Sequence, residues 1–182
     1  MLIQLITSHP EAIGQILRST PTWVWGLLGG LLALGASQLR GRTASLARVS
    51  LMPIAMTIFS VWGTFTALGS SGRLGEAVAV WVLAAAVAFA LLAPGRANAS
   101  YDPARRTFTL PGSVVPLLLI VGIFLVKYFV GVELAMAPRL VQDTQYALTV
   151  AALYGAFTGI FVGRATRLWR LALRPAAAAV AA

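Results

Sequence analysis

Five apolar runs, separated by short clusters of Gly, Pro, Ser and Arg, set the pattern of this chain. They fall at 21–39, 49–68, 77–93, 114–137 and 146–163. A helix needs roughly 20 apolar residues to cross the hydrocarbon core of a bilayer, so each run reads as a transmembrane helix. Thr20 and Pro21 supply a start signal for the first, with Thr20 as N-cap and Pro21 at the first helical position. Pro138 stops the fourth. Pro53 lies early in the second and is expected to kink it.

Two segments outside the runs carry their own patterns. In residues 1–19, Ser8 and Glu11 have the spacing of a capping box. Ala12, Ile13, Ile16 and Leu17 then share one helical face, away from Glu11, Gln15 and Arg18. That pattern predicts a short amphipathic helix lying on the membrane surface. In the longest connection, Asp102-Pro103 signals a turn and Thr107 to Leu110 alternates polar with apolar, which predicts a small hairpin. Ser113 is placed to cap the helix that follows.

Composition supports the membrane reading. Of 182 residues, 59% are hydrophobic and 10% charged, against about 25% charged in an ordinary soluble domain. A surface facing lipid does not need the missing charge. Cysteine is absent, which excludes disulfides and thiolate metal sites, and His9 is a single histidine with no partner for a metal site. No Gly-rich phosphate loop, nucleophile elbow or pair of catalytic carboxylates is present. The expectation is therefore a non-enzymatic protein without cofactor or metal.

The formal charge of +9 is distributed by topology and does not suggest nucleic acid. Arg40, Arg42, Arg48, Arg96, Arg105, Arg106, Arg164, Arg167, Arg170 and Arg174, ten in all, fall on one side of the five runs, and Arg18, Arg73 and Arg139, three in all, fall on the other. The positive-inside rule puts the N-terminus outside the cytoplasm and the C-terminus, with the tail 164–182, inside it. Arg164, Arg167, Arg170 and Arg174 share one sector of the extension of the last helix, as expected for contact with anionic lipid headgroups. Trp23, Trp25, Tyr146, Tyr101 and Trp169 fall at the run boundaries and read as an aromatic belt.

Lys127 is the remaining one of the fourteen basic residues and lies inside the fourth run. It is about 20 Å along that helix from Val114, past the midplane of a ~30 Å core. An ammonium there costs about 2.5–3.5 kcal/mol on insertion scales. It either faces the bundle interior, as part of an anion or proton site, or snorkels outward to an acid. Glu76, Glu133 and Asp143 are the acids on its outer side, and Glu133 either shares a polar site with Lys127 and Glu76 or sits at the headgroup level. Thr57, Ser60, Thr64 and Thr66 follow Pro53 and either line a polar path or bond back to their own helix. Gly155, Gly159 and Gly163, and likewise Gly26 and Gly30, repeat at four-residue spacing. Such stripes let helices approach closely, within the bundle or across a homo-oligomer interface.

The segments Thr20-Pro21-Thr22-Trp23-Val24-Trp25, Gln38-Leu39-Arg40-Gly41-Arg42 and Leu110-Pro111-Gly112-Ser113, with Lys127-Tyr128 beyond, resemble a family of small bacterial multi-pass membrane proteins known as a domain of unknown function. The resemblance extends over nearly the whole chain. It implies a bacterial inner-membrane location and brings no reaction, ligand or catalytic residue. The fold expected is an all-α integral membrane bundle of five helices, acting as an accessory or interaction component. The alternative is a small transporter or channel using Lys127 and Glu133.

Overall fold

The computed structural model describes residues 10–173. Arg174, His9, the rest of the C-terminal tail and the first nine residues lie outside them. The chain is mostly helical: α1 Pro10–Ser19, α2 Thr22–Ala36, α3 Leu46–Leu68, α4 Leu74–Leu92, α5 Val115–Met136 and α6 Thr144–Leu173, with a 3-10 turn at Pro138–Gln142. Strands β1 Arg42–Ser45, β2 Ser100–Asp102 and β3 Thr107–Leu110 complete it. Helices α3, α4, α5 and α6 are each long and apolar enough to cross a membrane, which makes this a multi-pass membrane protein.

Local chemistry explains the element ends. The Ser45 hydroxyl accepts the Arg48 N–H at the start of α3, and Asp143 Oδ1 accepts the Tyr146 N–H at the start of α6. The Ser113 hydroxyl accepts the Val115 N–H at the start of α5. Thr20 does not cap α2. Pro21 holds the cap position, and the Thr20 hydroxyl donates back to the Ile16 carbonyl or engages the Tyr128 hydroxyl, 2.6 Å away.

The first apolar run forms a shorter helix than its sequence suggests. α2 has 15 residues, about 22 Å of rise. Ser37 to Leu39 leave it in turns that bury Gln38, whose carbonyl accepts the Ser113 N–H and whose Oε1 accepts from Arg42. The pull of those contacts ends the helix early. At its other end, the bond to Tyr128 falls eight residues before Met136, so α2 begins about 12 Å below the end of α5.

The fold is not purely helical. The expected hairpin forms between β2 and β3, and β1 joins it, giving the order β1-β3-β2 with both pairings antiparallel. Asp102 Oδ1 accepts the N–H groups of Ala104 and Arg105, and Arg106 closes the turn at φ 51°. Phe108 is fully buried on β3, against the Tyr101 ring and opposite Ala44. The four residues of β1 showed no helical or alternating period strong enough to separate them from a loop. The sheet ties the α2–α3 connection to the α4–α5 connection, so both lie at one end of the bundle. The C-terminal part of α6 reaches the same end, where the Trp169 Nε1 donates to Ser50 and Arg170 donates to the Ala93 carbonyl.

Helices α3, α4 and α6 form the tightly packed core. Leu68, Ala77, Ala147 and Ala151 are buried together between them. α5 joins through Val130, Val150 and Tyr154, and α2 packs on α5, where Gly35 receives the Leu117 side chain.

Candidate functional site

Lys127 points inward, to the junction of α3, α5 and α6. Its Nζ donates to the Phe59 carbonyl at 3.3 Å and sits 4.4 Å from the centre of the Tyr154 ring. The approach depends on Gly63, because a Cβ there would occupy the space taken by Nζ and press on the Tyr154 ring. Among the described residues no carboxylate forms an ion pair with Nζ; the pair that does form is Arg73–Glu76.

Around the ammonium lies a small, partly open cleft. Its walls are largely apolar: Phe59 and Met56 from α3, Ile123 and Val126 from α5, Phe157 and Phe161 from α6. Ser60 and Thr158 line it beside Tyr154, and the Ser60 and Thr158 hydroxyls are engaged elsewhere. Ser60 donates to the Tyr154 carbonyl and accepts from Trp81 Nε1, while Thr158 donates to the same carbonyl. The other hydroxyls of α3 bond back along their own helix, Thr57 to Pro53, Thr64 to Ser60 and Thr66 to Trp62. A polar path along α3 is therefore reduced to Ser60.

Lys127, Glu133 and Glu76 occupy three separate environments. Glu76 pairs with Arg73 at 3.1 Å near the exposed start of α4. Glu133 lies beside the Tyr146 hydroxyl, which is buried and lacks a well-aligned hydrogen bond. The Tyr146 ring packs on the Val130–Val150–Tyr154 cluster and is not a belt residue facing lipid. Trp23 and Trp25 do face outward, at 69% and 44% exposure.

The two glycine stripes also part ways. Gly155, Gly159 and Gly163 lie against Trp81, Ala85 and Leu92 of α4, so that stripe packs within the chain. Gly26 and Gly30 face open space. At the end of α6, Arg167 Nε donates to the Leu92 carbonyl and Arg170 to the Ala93 carbonyl at 2.8 Å. These arginines add donors to carbonyls at the C-terminal end of α4, where Leu92 also accepts the Gly95 N–H and a cation complements the helix dipole. Arg164, half-buried, lies beside Arg167.

Sequence reasoning did not single out Gly63, Tyr154 or Trp81, although each shapes the Lys127 environment. The available signal was an aromatic residue in the middle of an apolar run: Tyr154 lies too far from either boundary of the fifth run to be a belt residue. A model for a family of unknown function, DUF6622, matches residues 1–179. The chain belongs to that family. Membership agrees with the family resemblance read from the Trp, Arg and Pro-Gly segments, and it assigns no activity. Comparisons with curated proteins and with solved structures give no match.

Proposed function

We propose that this DUF6622 protein is a non-enzymatic, five-span protein of the bacterial inner membrane, in which Lys127 forms an intramembrane site for an anion or a proton, as in a small transporter. The observation that carries the reading is the inward ammonium, set beside a cleft without a carboxylate partner. An ionisable group inside a membrane is costly and ordinarily functional. Glu133, beside Tyr146 near the far end of α5, belongs to the same pathway as a second polar station.

The orientation proposed is N-terminus outside and C-terminus in the cytoplasm. The ten-to-three division of arginines supports it. The joining of the α2–α3 and α4–α5 connections in one sheet supports the alternation of spans, because it requires α3 and α4 to cross as a pair. α2, at 15 residues, is the shortest of the five proposed spans, and α1 leads into it from the outer side. In this orientation Arg164, Arg167 and Arg170 lie on the side of anionic cytoplasmic headgroups, with Arg167 and Arg170 also holding α4.

Two measurements test these statements. Single cysteines at Gly72 and Asn98 will label from opposite sides of the membrane; labelling from the same side removes the topology. In proteoliposomes holding a pH-sensitive dye, the full chain will carry acid flux above that of empty liposomes, and Lys127→Met will abolish it while inserting normally. Flux equal in both proteins sinks the transport reading. An accessory role, through a homo-oligomer or another partner, is the second reading, favoured by the unpacked outward face of α2 at Gly26 and Gly30.

A further inference from the structure

We infer that the Lys127 cleft binds a small lipophilic carboxylate that enters sideways from the hydrocarbon, between α3 and α5. This deepens the proposed Lys127 site and rests on it. The first support is charge. Lys127 carries three N–H donors, and one bond to the Phe59 carbonyl and a contact with the Tyr154 ring do not use them all. An unpaired ammonium away from water calls for a counter-charge, and no described carboxylate provides it. A carboxylate ligand would.

The second support is the wall. A water-soluble anion such as phosphate gives up many hydrogen bonds with water and needs several donors in return. Here the Ser60 and Thr158 hydroxyls are already committed to the Tyr154 carbonyl. What remains is one cation and the Tyr154 side chain among Met56, Phe59, Ile123, Val126, Phe157 and Phe161. That combination suits a molecule with one charged end and an apolar body.

The third support is access. Phe59 lines the cleft and is 59% exposed, on a face of α3 that also exposes Ile58 and Trp62. α2 does not cover this opening, because it packs against the Leu117 and Tyr128 side of α5. Lys127 lies about 80° around the helix from Leu117, and Ile123 and Val126 lie farther round still. The cleft therefore meets the lipid-facing surface of the bundle.

The test uses the full chain in phosphatidylcholine nanodiscs, with protein-free nanodiscs as background, and measures binding of octanoate, 1-octanol and inorganic phosphate. Octanoate is expected to bind saturably, and neither 1-octanol nor phosphate should displace it. Lys127→Met should weaken octanoate at least about 10-fold, and Lys127→Arg should restore part of the loss. Ile123→Trp, which fills the cleft and keeps the charge, should also abolish binding and decides the matter if Lys127→Met fails to fold. Octanoate binding unchanged in Ile123→Trp overturns the inference. Displacement by 1-octanol overturns it in favour of simple apolar filling, and displacement by phosphate overturns it in favour of an aqueous anion. Acid flux that depends on Lys127 without octanoate binding leaves the transport reading standing and overturns this one. Octanoate binding without flux does the reverse.

Discussion

Helix α6 takes part in two seams that are built on opposite principles. Along α4 it presents Gly155, Gly159 and Gly163, and the backbones close until the glycines meet the Trp81 and Ala85 carbonyls. Nothing polar needs to be accommodated there, and the arginines that close the seam, Arg167 and Arg170, bond to the end of α4. Toward α3 and α5 the same helix presents Tyr154, Phe157, Thr158 and Phe161, large or polar residues that hold the neighbours apart. The space left over is the cleft, and Lys127 reaches across it to α3. In lipid, where apolar surface gains little from being hidden, close backbone contact is the main source of helix association. The first seam supplies stability, and the second can remain open because the first is tight.

Substitutions that press on each seam should separate these roles. Gly155→Val puts side-chain atoms into the Trp81 backbone, which cannot move aside, so it should cost roughly 3 kcal/mol or more and collapse the folded fraction in detergent unfolding assays. An unaltered unfolding midpoint would mean that the α4–α6 seam does not hold the bundle together. Arg167→Met removes the side-chain donor to the Leu92 carbonyl, which keeps the Gly95 N–H, at a cost of about 0.5–1.5 kcal/mol, read as a lower thermal midpoint with the fold retained.

Gly63→Ala acts on the open seam. The colliding group is the flexible end of Lys127, so the stability loss should stay under about 1 kcal/mol. Lys127-dependent flux should nevertheless fall, because the ammonium is displaced from Phe59 and Tyr154. A large loss of stability instead would show that the Lys127 contact is structural. Gly30→Ala should have the smallest effect, a gain of up to about 0.5–1 kcal/mol from helix propensity, since nothing lies near that position. A clear loss of stability or of a dimer on size exclusion would assign the outward face of α2 to a second copy.

The hydrophobic pattern by itself determined a multi-pass membrane protein, the location of its four long helices and the hairpin near Asp102, because helix length and turn chemistry are local properties of the chain. The arginine distribution suggested an orientation for the same reason. Other features depended on partners far away in sequence. Residues 42–45 become a strand only because β3 is beside them, and α2 stops short only because Gln38 meets Ser113 and Arg42. The two glycine stripes look alike in sequence, and only packing shows one closed on α4 and the other facing outward. Lys127 is the sharpest case. Its depth in the membrane follows from counting residues, but its direction was set by a missing side chain at Gly63, sixty-four positions away in sequence, which leaves room for the ammonium beside a carbonyl and an aromatic ring.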